Sequence, residues 1–233
     1  MDASPFHDDP PVGIPRTSTT PHAPDGQTAR AGVPRREALA ALAQRHSVGP
    51  RWLTDPAPDD ADLRRAIACA LRAPDHGLLR PWRAVLVGRE QRRLLGDLFA
   101  SIARDQGGDE AAIAREIERA ERGPALVAWI ARIQPGIDDV PAHEQWMTTG
   151  GALTLFLSAL HLMGYGAKTL SGRKCSHPRL QAAFCTPGET LVAFITVGTP
   201  SRAAAARGCD DLDFHWQPWQ PQNLGGAGPS APH

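Results

Sequence analysis

The sequence predicts an α+β domain over residues 35–219, and three observations carry that reading. Helical apolar spacing comes first along the chain, and strand-like apolar runs then alternate with further helical segments. Three runs read as clear strands: PWRAVLV from Pro81, PALVAWIARI from Pro124 and TLVAFITVGTP from Thr190. The stretch from Trp146 to Ala167 holds no formally charged residue, and no internal repeat is visible.

The elements follow in order. Arg35 to Arg45 reads as a short helix with Leu39 and Leu42 on one side, ending at RHSVGP. TDPAP is a linker, after which Asp59 or Asp60 caps a helix that buries Leu63, Ile67 and Leu71, spaced four apart. That helix stops before Pro74, because a proline pushes the preceding residue out of the helical region. The apolar end of Pro81 to Val87 reads as an interior strand. Arg89 to Asp105 is helical, with Leu94, Leu95, Leu98 and Ile102 apolar. Glu110 to Arg122 is a more exposed helix carrying Ile113 and Ile117. Glu144 to Met163 is the long central helix, ended by Gly164-Tyr165-Gly166. Its threonines, serine, histidine and glycines, without a basic flank, favour a helix buried on most of its circumference over a membrane span. Pro178 to Phe184 is a short helix before the last strand.

Residues 1–34, rich in Pro, Thr, Asp and Gly, read as a disordered leader, and residues 220–233 as a flexible tail. No secretory signal pattern is visible. The 4 cysteines show no CxxC spacing, which predicts free thiols in a reducing cytoplasm and no metal site. The 25 basic and 25 acidic residues cancel, so nothing in the charge balance points to nucleic acid or an anionic membrane. Lys168 and Lys174 are the only lysines.

The chemistry-bearing motifs narrow the field by exclusion. GYGAKT lacks the spacing of a phosphate loop, and no GxGxxG opens a helix after a strand. No GxSxG elbow and no HExxH is present. Without an evident nucleophile or metal, demanding chemistry would come from an organic cofactor. Three polar clusters are suited to hold one: Arg45-His46-Ser47, RAPDHG from Arg72, and GYGAKTLSG from Gly164. Each also has a local reading as helix cap, turn or glycine-rich helix exit.

RHS after a first helix, RAPDHGLLRPW before a strand, HEQWMTTGGALTLFLSALHLMGYGAKTLSG and FITVGTP occur in that order. In that order they resemble the nitroreductase family, most closely its small-subunit branch, over about residues 35–200. The resemblance implies a central, mostly antiparallel sheet flanked by helices in a domain-swapped-type homodimer. It implies FMN bound in clefts at the subunit interface, NADH or NADPH as hydride donor, and small electron-poor acceptors such as nitroaromatics and quinones. By motif position Arg45, His46 and Ser47 would hold the phosphate and ribityl end, and Thr169, Leu170 and Ser171 would line the same flavin. Arg72 and His76 would come from the other chain, with Asp75 holding the loop. Ala159, Leu160, His161, Leu162, Met163 and Gly164 align with the nicotinamide-nucleotide segment. No catalytic side chain is implied, since the hydride passes through flavin N5. The sequence departs from the branch at Thr169-Leu170, where relatives carry an aromatic residue and an arginine; Lys168 and Arg173 are the nearby cations. A specialised or non-catalytic flavin-binding protein of the same fold is the alternative.

Overall fold

A computed structural model describes residues 35–202 and 212–219; the proposed leader, the tail and Cys209 fall outside the described residues. The elements are α1 (Arg35–Ala43), β1 (Leu53–Thr54), α2 (Asp60–Ala70), β2 (Trp82–Val87), α3 (Arg89–Asp105), α4 (Glu110–Glu121), β3 (Ala125–Ala131), α5 (Ala142–Leu162), β4 (Gly166–Leu170), α6 (Pro178–Phe184), β5 (Thr190–Pro200) and α7 (Leu212–His215). Every strand pairing is antiparallel. β5 takes β3 on one side and β4 on the other, β2 pairs with β3, and β1 joins the end of β5.

Helices cover both faces of this sheet, and strand alternation divides the core between them. Val127 and Trp129 of β3 face α2 and α5, where Trp129 stacks on Trp82 at 4.6 Å and meets Phe156 at 5.5 Å. Leu126, Ala128 and Ile130 face the other way, into a cluster with Leu95, Phe99 and Ile102 of α3 and Leu180 of α6. All of β3 is buried, which is why PALVAWIARI reads as an unbroken apolar run.

The same logic misled at β2, which is an edge strand rather than an interior one. It is apolar because both faces of the sheet are covered: Trp82 and Ala84 join one cluster, Val85 and Val87 the other. Its outer edge is open, with Leu86 55% exposed.

One helix also differs in part from expectation. In α2, Ala66 and Ala70 are fully buried, Leu63 and Ile67 are half-buried against the core, and Leu71 is 50% exposed. Small residues let this part of the chain approach α5 closely, with Ala73 packed at Gly151, and Leu71 is left at the surface. Asp59 is the cap, its carboxylate accepting from Asp62 N at 2.7 Å. α5 buries Gln145, Thr148, Thr149, Ala152, Phe156 and Leu160. One strip is open within the chain, with Trp146, Met147 (71%), Gly150 and Thr154 exposed, and the rest of the circumference is buried or half-buried, as expected. No helix among the described residues is long and apolar enough to cross a membrane.

Candidate functional site

α5 organises both groups of predicted site residues. At its amino end, Thr148 Oγ1 donates to Pro74 O at 2.7 Å and Thr149 Oγ1 donates to Pro81 O at 3.0 Å. These bonds pin both ends of the Pro74–Pro81 connection to the helix. Inside the connection the Asp75 carboxylate accepts from Leu79 N at 3.1 Å and Arg80 N at 2.8 Å. Asp75 therefore holds the loop, as the sequence suggests. Gly77 takes the positive φ of 72° expected of it, and Leu78 (52°) and Arg80 (48°) share the left-handed region. For non-glycine residues that conformation costs about 1 kcal/mol or more each, and such strain collects where a loop is positioned for use.

Two predicted residues stand here, Arg72 just before the pinned segment and His76 within it. Arg72 lies just past the end of α2, exposed, and its guanidinium has no partner among the described residues. His76 Nδ1 lies 3.0 Å from Glu144 Oε2 on the first turn of α5. Glu144 was not singled out from sequence, although its place beside the buried Gln145 in HEQ was the available signal. Gln145 itself closes the 134–140 loop: its amide accepts from Gln134 N and donates to Gln134 O, both at 2.8 Å.

The other predicted residues gather at the carboxyl end of α5. Val48 N donates to Ala167 O at 2.9 Å, which lays Arg45-His46-Ser47 beside β4 and its Thr169-Leu170 end. The His46 and His161 rings meet edge to face at 6.3 Å, and His161 Nε2 sits 2.9 Å from Ala41 O. Arg45 is half-buried, Ser47 and Ser171 are exposed, and none has a side-chain partner among the described residues. Within the stretch Ala159–Gly164, Ala159 and Leu160 belong to the core, so the accessible surface comes from His161, Leu162, Met163 and Gly164.

The two groups do not meet within one chain. From Glu144 to His161 the helix advances seventeen residues, about 25 Å at 1.5 Å per residue. His76, beside Glu144, and His46, beside His161, therefore stand about that far apart on one chain, while Arg72 lies nearer the middle of α5, next to Ala73, which packs at Gly151. The open strip of Trp146, Met147, Gly150 and Thr154 lies on the helix between them.

The nitroreductase family model matches residues 42–199. The chain belongs to the nitroreductase family. A Haemophilus influenzae protein named "Putative NAD(P)H nitroreductase" is 31% identical over 179 residues, spanning 76% of this chain and 95% of that one. The Escherichia coli K12 counterpart named YdjA is 29% identical over 170 residues, 72% of this chain and 91% of its own. Among solved structures, a nitroreductase-like family protein from Bacillus cereus matches with a TM-score of 0.66 at 19% identity, over 84% of this chain and 100% of its own. The FMN and NADPH-dependent nitroreductase NfnB from sphigopyxis sp. strain HMH gives 0.57 at 19%, over 79% and 99%. These structural likenesses bear out the expected nitroreductase-like fold with its antiparallel sheet between helices.

Proposed function

We propose that this chain is an FMN-dependent oxidoreductase that takes hydride from NADH or NADPH and reduces small electron-poor acceptors, nitroaromatics and quinones among them. The observation that carries the reading is the placement of unpartnered Arg45 and Ser47 beside the carboxyl end of α5, with His76 at its amino end and unpartnered Arg72 between them. Two copies related by a two-fold axis, with their α5 strips face to face, bring one chain's Arg45 to the partner's Arg72 twice over. The apolar and small residues of that strip, with room at Gly150 for close approach, suit such a contact. The working form is accordingly a cytoplasmic homodimer with two equivalent sites. The names of the relatives, which refer to NAD(P)H, and of NfnB, which refers to FMN and NADPH, support the same reading.

The residues present fit FMN. A half-buried free guanidinium at Arg45 and a free hydroxyl at Ser47 are what a phosphate and ribityl chain require. When bound, the flavin supplies the hydride acceptor and donor. Arg72, unpaired and just before the pinned loop, would offer a positive charge to the bound flavin and so favour its reduced, more negative form. Glu144 fixes the ring of His76, so this side chain is presented in one orientation. Solvent protonates the acceptor, and no side chain is needed as a general acid.

Purified protein should be yellow or take up FMN at about one per chain, be bleached by NADH or NADPH, and run as a dimer by light scattering. A colourless protein that fails to take up FMN at high micromolar concentration overturns the reading. FMN uptake without reduction by either nucleotide supports the non-catalytic alternative instead.

A further inference from the structure

On the sheet face opposite α5, a cleft of about 520 Å³ opens between α3, the end of α4 and the turn after β4. Its floor is aromatic and apolar: Phe99 and Phe194 meet edge to face at 6.0 Å, and Leu126 closes the base. Its rim is cationic, carrying Arg119, Arg122, Arg173 and Lys174. Glu116 pairs with both Arg119 and Lys174, and Glu118 pairs with Arg122 at 3.2 Å. Four cations against these two carboxylates leave two positive charges. Arg173, exposed at the mouth, has no partner among the described residues. Lys174 Nζ already lies 4.3 Å from the Phe99 ring centroid, so the apolar floor and the charged rim are in direct contact. Half the lysine complement of the chain stands at this one opening.

We propose that this cleft is a second ligand site, one that takes an aromatic oxyanion: a planar apolar ring bearing a carboxylate or phosphate. A volume of this size accepts a small organic molecule. The ring lies against Phe99 and Phe194, and the oxyanion meets the Arg173 fork and the Lys174 ammonium. A neutral ring leaves the excess positive charge unanswered, and a bare anion gains nothing from the floor. Leu170 and Gly172 border both this cleft and the Thr169–Ser171 segment, so an occupant sits beside the proposed flavin site without depending on it.

The test is calorimetric titration of the full chain, its flavin content first measured by absorbance, with benzoate, phenyl phosphate, benzamide and inorganic phosphate at low salt. Saturable binding of benzoate or phenyl phosphate at one per chain is expected, and whichever binds more tightly identifies the head group. Benzamide and inorganic phosphate should each bind at least about tenfold more weakly, the effect of one charge-assisted contact. Arg173→Ala and Lys174→Gln should each weaken the aromatic anion about tenfold and leave the FMN dissociation constant unchanged, and Arg173→Ala, which breaks no ion pair among the described residues, should leave the melting temperature unchanged as well. No saturation by either aromatic anion up to about 10 mM overturns the site. So does inorganic phosphate binding as tightly as benzoate, which would mark an adventitious ion only. Equal loss of FMN and benzoate affinity in Arg173→Ala also overturns it, because the cleft would then be the phosphate end of the flavin site.

Discussion

At the amino end of α5, Thr148, Thr149 and Asp75 spend their polar atoms on holding a strained loop; at its carboxyl end Arg45, Ser47 and Ser171 have no partner among the described residues. The first end is built to keep a short segment in one shape, at the expense of left-handed Leu78 and Arg80. The second leaves donors free on a backbone anchored only through Val48 and the His46–His161 contact. One end presents a preorganised edge and the other an unsatisfied cradle. This asymmetry suits a ligand shared between two copies, each giving a different end.

Breaking the proposed pairing of ends should have the largest effect. A Cβ built at Gly150 meets nothing within 4 Å, so the isolated chain tolerates Gly150→Arg. In a dimer packed on that strip the same change buries an unpaired charge, a cost of about 3–5 kcal/mol. Light scattering should show a folded monomer, and FMN titration should show the cofactor lost with the dimer. A Gly150→Arg protein that remains dimeric and yellow would place the interface elsewhere.

Acid should loosen the amino end through its support. Glu189, 7% exposed, accepts from Arg83 Nε and Nη2 at 2.7 Å and so ties β2, directly after the pinned loop, to the start of β5. The hydrogen bonds from Arg83 lower its pKa to about 2, from the ordinary glutamate value of 4.5. A depressed carboxylate contributes stability above its unfolded pKa, so the contribution is complete at neutral pH and disappears as pH falls from about 4.5 towards 2. Its size is about 3 kcal/mol. Urea melts across that window should show Glu189→Gln less stable at pH 7 and less sensitive to acid than the parent; parallel curves would refute the assignment.

Substituting one arginine of each group sharpens the contrast. Arg72→Ala should lower the midpoint potential of bound flavin by tens of millivolts, since a charge-assisted contact of about 1.5–3 kcal/mol converts at roughly 30 mV per 1.4 kcal/mol. Arg45→Ala should weaken FMN binding and leave the potential of the bound flavin nearly unchanged. An unchanged potential in Arg72→Ala would return that arginine to a role in ending α2.

The smallest effect is expected from loosening one pin. Thr148→Val leaves Pro74 O without its donor, at about 1–3 kcal/mol. That corresponds to a melting point lower by roughly 2–4 °C per kcal/mol in a chain of this size. If the loop positions Arg72, the midpoint potential should become more negative as well. A melting change with no change in potential would mean that the pin serves stability alone.

Much of this was legible in the chain. The β3 and β5 runs, the helix over α3, the Asp75 loop bonds and the Gly77 turn all follow from local patterns that admit few conformations. Glu144 escaped notice because an exposed acid in a first helical turn has an ordinary explanation in the helix dipole, and its histidine partner lies 68 positions away. Leu71 and β2 were misplaced for a related reason. Periodicity tells which residues share a face, not which face a neighbour covers, and close packing at Ala66 and Ala70 turned α2.

By itself, then, the sequence determined the elements, the family resemblance and the residue types offered for a cofactor, because turn chemistry, apolar period and motif order act over a few neighbouring residues. Only the tertiary structure decided that β2 is an edge, that α5 leaves one strip open, and that the Arg45–Ser47 segment and His76 stand at opposite ends of one helix. Those facts depend on which surfaces exclude water together, and that is settled by packing between segments far apart in the chain.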